Sequence, residues 1–205
     1  MELSQRLRKY LIMGSQNCER DPADILKEAI EGGITAFQFR EKGPGSLQGE
    51  EKLALGKRLR ELCRTHDVLF IVNDDSVLVD PLEADGIHVG QDDVDVQELR
   101  SLFPKKIIGL SISNEEELKG SAVDVVDYLG AGPMFATSTK VDAKEPVGVE
   151  WIKRVKFLYP GIPLVGIGGI TVGNAREVME VGADGVSAIT AITAAKDVVR
   201  AVKLL

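Results

Sequence analysis

The sequence predicts an α/β protein that forms a single (β/α)8 TIM barrel spanning residues 1–205, and two observations support this fold class. Short apolar runs of strand length alternate with segments of helical periodicity along the whole chain. Eight strand–helix units follow one another, and no linker or change in composition separates them. Repeated units of this kind form parallel sheets with right-handed crossovers, and eight of them can close a barrel. An open doubly wound sheet is the alternative, but it would leave two sheet edges to protect.

In the first half of the chain, turn residues and helix caps separate the predicted strands. Gly14 breaks the first strand, and Asp21 with Pro22 supplies an N-cap and a first helical turn. Gly32 and Gly33 end that helix. The predicted strands here are residues 10–13, 34–40, 68–72 and 84–89. The predicted helices run from Pro22, from the loop after residue 46 to about 64, over 76–79 and over 94–102.

The second half repeats the pattern with a longer loop. Asn114 caps an acidic first turn, which suits the positive end of a helix. The predicted strands are residues 107–110, 125–129, 164–167 and 184–188. The predicted helices begin after Asn114 and cover 151–159, 174–181 and 194–205, and a polar loop occupies 130–147.

Composition limits the classes of partner. A net charge of −7 argues against nucleic acid, which favours a basic surface. Cys18 and Cys63 lack metal-ligand spacing, which suggests free thiols in a reducing compartment. No apolar run is long enough to cross a membrane, and the first ten residues lack the apolar core of a signal peptide. We expect a cytoplasmic protein that acts on small molecules; a homo-oligomer is compatible with the sequence.

The stretch Gln38-Phe39-Arg40-Glu41-Lys42 follows a buried run and indicates an anion site. Side chains alternate along a strand, so Gln38, Arg40 and Lys42 share one face, and Phe39 lies on the other. Arg offers a planar fork for phosphate oxygens and Lys offers a point charge. Taken alone, the stretch fits a solvated charged loop equally well.

Unusual polar residues follow the other predicted strands, where the active sites of such barrels form. Asp74 and Asp93 are carboxylates at neighbouring strand ends, and hard oxygen ligands in ones and twos suit Mg²⁺; for either one taken alone, a helix cap is the favoured interpretation. The full set after the third to eighth strands is Asn73, Asp74, Asp93, Ser111, Thr137, Thr139, Lys140, Gly168, Gly169, Ile189 and Thr190.

Two further segments indicate a phosphate site. The glycine-rich turns at 166–170 and 185–190 could offer backbone N–H groups to a phosphate, or could be tight turns without a ligand. The loop at 132–140 carries three hydroxyls and Lys140, which fits a phosphate-binding lid or a surface loop. His66 and His88 form no catalytic pair, and His88 fits a hydrogen-bonded core residue. Two anion sites together indicate a transferase with two substrates.

The ordered set of motifs resembles the thiamine phosphate synthase family over nearly the whole chain. The motifs are Gln38-Phe39-Arg40-Glu41-Lys42, Val72-Asn73-Asp74-Asp75, the run from Ala84 to Asp93, Gly130-Ala131-Gly132-Pro133, Thr137-Ser138-Thr139-Lys140 and the run from Val165 to Thr171. The resemblance implies the coupling of a hydroxymethylpyrimidine diphosphate with a thiazole phosphate, or with its carboxylated form, to give thiamine phosphate and diphosphate.

The resemblance also implies the ligand sets. The pyrimidine diphosphate set is Gln38, Phe39, Arg40, Glu41, Lys42, Asn73, Ser111 and Lys140. Phe39 and Glu41 enter it as members of a continuous stretch, although the alternation turns Phe39 towards the helices and leaves Glu41 without a ligand role. The thiazole phosphate set is Thr137, Ser138, Thr139, Gly169, Ile189 and Thr190. Asp74 and Asp93 would bind one Mg²⁺ ion, and Arg40, Lys42, Ser111 and Lys140 would act in catalysis.

In the family's reaction diphosphate leaves in a largely dissociative step, and the thiazole nitrogen then captures the cation. No general base is needed, in keeping with the absence of a suitable His. Lys140→Ala should therefore lower turnover by about 10²–10³, the usual cost of losing one preorganised charge.

Ser113 stands where the family often has His, Ala136 where Pro is common, and Thr190 where Ser is frequent. The alternatives are a thiazole tautomerase, which needs the base that Ser113 replaces, and a non-catalytic thiamine-pathway binding protein. A barrel enzyme of another phosphate pathway would leave Asp74 with Asp93 unexplained.

Overall fold

The computed structural model describes residues 1–137, 139 and 144–205, and it confirms the predicted (β/α)8 barrel. Eight parallel strands pair in sequence order, and the first strand also pairs with the last. The barrel is therefore closed, and the open sheet is excluded.

The strands are Lys9–Met13 (β1), Ala36–Phe39 (β2), Leu69–Asn73 (β3), Gly86–Val89 (β4), Ile107–Ile112 (β5), Tyr128–Ala131 (β6), Leu164–Gly166 (β7) and Gly185–Ala188 (β8). The helices are Leu3–Arg6 (α1), Pro22–Gly32 (α2), Gly49–Thr65 (α3), Val96–Leu102 (α4), Glu115–Gly120 (α5), Glu150–Leu158 (α6), Ala175–Glu180 (α7), Thr190–Thr193 (α8) and Val198–Leu204 (α9). Single 3₁₀ turns occupy Ser15–Asn17, Ser76–Leu78 and Val123–Val125.

Helix caps explain two of the differences from the predicted bounds. The helix after β4 begins at Val96 rather than 94, because the Asp95 carboxylate accepts the N–H groups of Gln97 and Glu98. The last helix begins at Val198 rather than 194, because Asp197 accepts the Arg200 N–H, and the separate short α8 precedes it. The sixth strand starts three residues late, since Val123–Val125 form a 3₁₀ turn. The short helix α1 was not predicted.

Apolar side chains fill two layers. The larger layer lies between the strands and the surrounding helices, and includes Phe37, Phe39 and Phe70. A smaller cluster fills the inside of the barrel and includes Leu7 and Tyr128. Leu7 lies two residues before β1, so the N-terminal segment packs against the inner cluster at the amino-terminal end of the barrel. Within the described residues, no helix is both long enough and apolar enough to cross a bilayer.

Three aspartates repeat one arrangement at the amino-terminal end of the barrel. Each aspartate lies directly before an even-numbered strand. Its carboxylate accepts an N–H near the start of the odd-numbered strand that comes before it in sequence, and it pairs with a basic side chain of the helix that leads into that odd-numbered strand. The sets are Asp85 with Phe70 N (2.8 Å) and Arg60 (3.1 Å), Asp127 with Ile108 N (2.7 Å) and Arg100 (2.6 Å), and Asp184 with Leu164 N (2.8 Å) and Lys156 (2.5 Å). We call Asp85, Asp127 and Asp184 the amino-end aspartates; they tie neighbouring units together.

Candidate active site

A pocket opens at the carboxyl-terminal ends of the strands, and most of the predicted site residues line it. They come from segments remote in sequence that the barrel brings together. The predicted residues lining the pocket are Gln38, Arg40, Lys42, Asn73, Asp74, Asp93, Ser111, Thr137, Thr139, Gly168, Gly169, Ile189 and Thr190. Ser138 and Lys140 lie outside the described residues, so their assigned roles stay predictions.

Two members of the predicted substrate set do not line the pocket. Phe39 is buried among the helices and stacks on Phe70, as the strand alternation requires. Glu41 is only 4% exposed and accepts hydrogen bonds from Ser15 and Leu47 instead of facing the pocket. The side chains of Phe39 and Glu41 therefore point away from this pocket, because the motif is continuous in sequence while its side chains alternate in direction, and their assignment to the substrate set stays a prediction without support from the pocket.

Glu41 instead fixes the backbone that carries the two cations. Its carboxylate accepts the Ser15 N–H at 2.8 Å, the Ser15 hydroxyl at 2.5 Å and the Leu47 N–H at 2.7 Å. The Gln16 side chain donates to the carbonyl oxygens of Arg40 at 2.8 Å and Lys42 at 3.1 Å. These bonds join the loops after β1 and β2, so the stretch from Arg40 to Lys42 is held from both sides.

Arg40 and Lys42 are placed very differently. Arg40 is 8% exposed and lines the pocket, and within the described residues its guanidinium makes no hydrogen bond or ion pair. Lys42 is half-exposed; its ammonium contacts the carboxylate of Asp74 and lies 3.7 Å from that of Asp93. The hydrogen bond that Lys42 donates to Asp74 raises the pKa of Lys42, and the charge of Asp93 adds to this effect. Among the described residues, Arg40 therefore has no anionic partner, whereas Lys42 has two.

Asp74 holds its position through an uncommon backbone conformation. Its φ angle is 59°, in the left-handed region that non-glycine residues seldom adopt, and its N–H donates to the His88 carbonyl at 3.0 Å. Burial and the nearby carboxylate of Asp93 raise the pKa of Asp74, although Lys42 opposes them. The strained backbone and the burial of the carboxylate both cost free energy at this position, and such a combination is typical of functional sites.

Asp93 faces Asp74 from the loop after β4. Burial alone would raise the pKa of Asp93, but the Gly90 N–H, Asp74 and Lys42 together lower it. The Gly90 N–H donates to the Asp93 carboxylate at 2.8 Å. Two hard oxygen donors around a shared cation fit the donor set of Mg²⁺. The described residues contain no cluster of three or more His, Cys, Asp or Glu around one point, so phosphate and water would have to complete the shell.

Five polar side chains form a hydrogen-bonded chain across the barrel beneath these charges. Gln38 donates to the Tyr10 hydroxyl at 3.0 Å, and that hydroxyl lies 3.0 Å from the hydroxyl of Tyr128. Tyr128 hydrogen-bonds to Nδ1 of His88, and Nε2 of His88 hydrogen-bonds to Ser111, both at 2.8 Å. Burial raises the pKa of both tyrosines, so their hydroxyls stay protonated and available as donors. The chain links Gln38 on β2 to Ser111 on β5, two predicted ligand residues.

The glycine turns on the other side of the pocket leave no room for side chains. Gly168 and Gly169 have φ angles of 81° and 68°. A Cβ at Gly168 would lie 2.5 Å from the Cβ of Pro133, and one at Gly169 would lie 2.6 Å from the Phe135 carbonyl oxygen. The backbone itself therefore forms this wall, which suits the close approach of an anion. Helix α8 begins beside it at Thr190.

The sequence model of the family described as thiamine monophosphate synthase matches residues 9–192, which covers the barrel from β1 to α8. The chain belongs to the thiamine monophosphate synthase family. The resemblance drawn from the motifs is thereby confirmed, and it extends well beyond the pocket.

Individual relatives cover almost the full length of the chain. It is 56% identical over 199 residues to a thiamine-phosphate synthase of Oceanobacillus iheyensis, with 97% of each chain covered. It is 53% identical over 194 residues to a thiamine-phosphate synthase of Geobacillus kaustophilus, covering 95% of this chain and 88% of the relative. The structure of a thiamine phosphate pyrophosphorylase from Pyrococcus furiosus superposes with a TM-score of 0.88 at 34% identity, covering 100% of this chain and 96% of that one.

Several pocket residues of this family member were missed or misjudged from the sequence. His88 has its expected hydrogen bonds, but it also lines the pocket, as do Tyr10 and Tyr128. The alternation of side chains along β4 places His88 inside the barrel. Gly109 on the neighbouring strand also indicates an inward-facing His88, because a Cβ at Gly109 would lie 2.5 Å from His88 Nδ1. Ser113, the family departure, lines the pocket and donates its N–H to Glu117 at 2.7 Å.

Proposed function

We propose that the chain couples 4-amino-2-methyl-5-(diphosphooxymethyl)pyrimidine to 4-methyl-5-(2-phosphoethyl)thiazole, releasing thiamine phosphate and diphosphate. Family membership supports this transferase reaction, and the cations on one wall of the pocket and the glycine turns on the other would serve as the two anion sites for the substrates. The single observation that carries the pyrimidine diphosphate assignment is Arg40: a buried guanidinium faces the pocket without an anionic partner among the described residues. An unpaired buried cation is costly, and a diphosphate would satisfy it.

The pyrimidine diphosphate would lie between β2 and β5. Arg40 and Lys42 would hold the diphosphate oxygens, and Lys140 would join them. Gln38, Asn73 and Ser111 would bind the pyrimidine ring end, with Gln38 and Ser111 oriented by the hydrogen-bonded chain. Electrostatic stabilisation by preorganised groups is the largest expected contribution, because it acts on the charge that develops as the diphosphate leaves.

Asp74 and Asp93 would hold one Mg²⁺ ion. When bound there, Mg²⁺ would neutralise charge on the leaving diphosphate. The two carboxylates supply hard oxygen ligands, and the ammonium of Lys42, which contacts Asp74 and lies 3.7 Å from Asp93, supports the proposal that the pair holds a cation.

The thiazole phosphate would lie on the opposite wall, held by Gly169, Ile189 and Thr190 together with hydroxyls from Thr137, Ser138 and Thr139. The C–O bond between the pyrimidine methylene and the diphosphate breaks, and its electron pair leaves with the diphosphate. The thiazole nitrogen donates its lone pair to the methylene and forms the new C–N bond. No proton is removed, so the protein positions two substrates and excludes water rather than providing a base.

We further propose that the chain works in the cytoplasm, where its free thiols Cys18 and Cys63 would stay reduced, and that a homo-oligomer is compatible with this function.

The test is product identification with purified protein, Mg²⁺ and both precursors. We expect thiamine phosphate and diphosphate in equal amounts, and neither product when one precursor is omitted. Isomerised thiazole without coupling would instead identify a tautomerase, and tight binding without turnover would identify a binding protein. Either result would rule out the proposed function.

A further inference from the structure

We infer that Lys42 acts as an internal counter-ion that keeps a divalent cation off the Asp74–Asp93 pair until a diphosphate draws the lysine away. The inference rests on the proposed function, because it takes diphosphate as the ligand that releases Lys42. Lys42 would thereby determine that the metal enters the site only together with diphosphate or after it.

The geometry places the ammonium of Lys42 where it competes directly with a metal. It contacts Asp74, from the end of β3, and lies 3.7 Å from Asp93, from the loop after β4. The carboxylate oxygens that would coordinate a metal are therefore the ones that already hold Lys42. A metal approaching the pair must either displace the ammonium or accept a neighbouring positive charge.

The charges show why a metal alone is disfavoured. Asp74 and Asp93 carry two formal negative charges, and the ammonium of Lys42, which contacts Asp74 and lies 3.7 Å from Asp93, neutralises one of them. Adding a divalent cation while Lys42 stays in place leaves these three side chains with an uncompensated positive charge in a partly buried pocket. Adding a diphosphate with the metal supplies the missing negative charge, and its oxygens give Lys42 a new partner.

Lys42 can move while its backbone stays in place. The Gln16 side chain holds the Lys42 carbonyl at 3.1 Å, whereas the ammonium ends a flexible four-carbon chain that is half-exposed. Arg40 differs, since its guanidinium is buried and already faces the pocket. Arg40 is therefore the fixed part of the diphosphate site, and Lys42 the part that is exchanged.

The neighbouring pair of Lys52 and Asp75 provides a matched control. Lys52 lies 2.6 Å from the carboxylate of Asp75, the residue after Asp74, but neither Lys52 nor Asp75 lines the pocket. Lys52→Met therefore removes a positive charge close to the metal ligands without removing a group that contacts them. Comparing Lys52→Met with Lys42→Met therefore distinguishes direct competition between Lys42 and a metal for the carboxylates from a general change in electrostatic potential.

The experiment is isothermal titration calorimetry of the full chain with Mg²⁺ alone, comparing wild type, Lys42→Met and Lys52→Met. We expect Lys42→Met to bind Mg²⁺ more tightly by about tenfold, a typical coupling between competing ligands, and Lys52→Met to change the affinity by less than about threefold. Lys42→Gln should behave as Lys42→Met does, which guards against an effect of one particular side chain.

A second titration uses inorganic diphosphate in the presence of a chelator. Here Lys42→Met should bind more weakly than wild type by about tenfold, so one substitution changes the two affinities in opposite directions. Magnesium affinity that is unchanged or weaker in Lys42→Met, an equal gain in Lys52→Met, or unchanged diphosphate binding would each overturn the inference. Failure of the proposed function would appear separately, as missing thiamine phosphate in the coupling assay, and neither titration measures turnover.

Discussion

The two ends of the barrel use aspartates in opposite ways. At the amino-terminal end, Asp85, Asp127 and Asp184 each have their own basic partner and their own backbone N–H. At the carboxyl-terminal end, Asp74 and Asp93 share one lysine. The difference shows which carboxylates complete the fold and which are left for a ligand.

The backbone around these groups repeats the contrast. The amino-end aspartates occur at the same point of three strand–helix units, so the arrangement is built into the repeat. Asp74 instead has a φ angle of 59°, and burial beside another carboxylate raises its pKa. Aspartates with individual partners thus lie at one end of the barrel, and aspartates that share one counter-ion lie at the other, as expected for a barrel whose chemistry takes place at the carboxyl ends of its strands.

The largest expected effect is that of Arg40→Met on catalysis. We expect kcat/KM for the pyrimidine diphosphate to fall by about 10²–10³, because the variant loses a preorganised charge at the leaving group. The free energy of unfolding should not fall, since a buried cation without a described partner is removed.

The matched control is Arg60→Met, which breaks the pair with Asp85. Steady-state kinetics and urea unfolding on both variants should give opposite patterns, and a large kinetic defect in Arg60→Met would contradict the comparison.

Asp184→Ala tests the amino-terminal end. It removes the partner of Lys156 and leaves the Leu164 N–H without an acceptor. We expect the free energy of unfolding to fall by about 1–3 kcal/mol, the usual cost of an orphaned polar group, while kcat stays at the wild-type value. Urea unfolding followed by circular dichroism measures the first quantity. A normal unfolding curve combined with lost turnover would reverse the roles assigned to the two ends.

Glu41→Gln tests the support of the carboxyl-terminal end. Its amide nitrogen would face N–H donors from Ser15 or Leu47 and loosen the backbone from Arg40 to Lys42. We expect a fall of about tenfold in kcat/KM, because small displacements of positioning groups reduce rates, and KM should rise more than kcat falls. Ser15→Ala, which removes only one of the three hydrogen bonds, should have a smaller effect in the same direction. A kcat defect at unchanged KM would exclude this positioning role.

The smallest expected effect is that of Tyr128→Phe, in the hydrogen-bonded chain between the two ends. Its hydroxyl connects Tyr10 to His88, so the variant leaves both with fewer partners. We expect the free energy of unfolding to fall by about 1 kcal/mol, the usual net contribution of a hydrogen bond. Thermal and urea unfolding measure this change. No change in stability would mean that water or a neighbouring group satisfies both partners.

Local patterns were enough to predict the fold and to place most of the predicted site residues at one pocket. The alternation at Gln38, Arg40 and Lys42 depends only on strand geometry, and the strands of a parallel barrel all end on the same side, so these residues could be placed together from sequence. Helix starts were less accurate where a cap decided them, as at Asp95 and Asp197.

Contacts between distant strands could not be predicted. Tyr10, Tyr128 and His88 meet inside the barrel because of its closure and register, which no local pattern records. The amino-end aspartates look like ordinary turn residues before a strand, and their partners lie up to 28 residues away in sequence. The sharing of Lys42 by Asp74 and Asp93 depends on how the loops after the neighbouring strands β2, β3 and β4 place their side chains, which no local pattern records.

The most direct test of the account is the coupling assay with Mg²⁺ or with a chelator, on wild type, Asp74→Ala and Asp85→Ala. We predict that wild type forms thiamine phosphate only with Mg²⁺, that Asp74→Ala loses about 10²–10³ of this turnover while unfolding normally, and that Asp85→Ala retains turnover per folded molecule. Full activity of wild type without any divalent metal, or of Asp74→Ala with it, would contradict the assignment of the metal to the carboxyl-terminal end of the barrel.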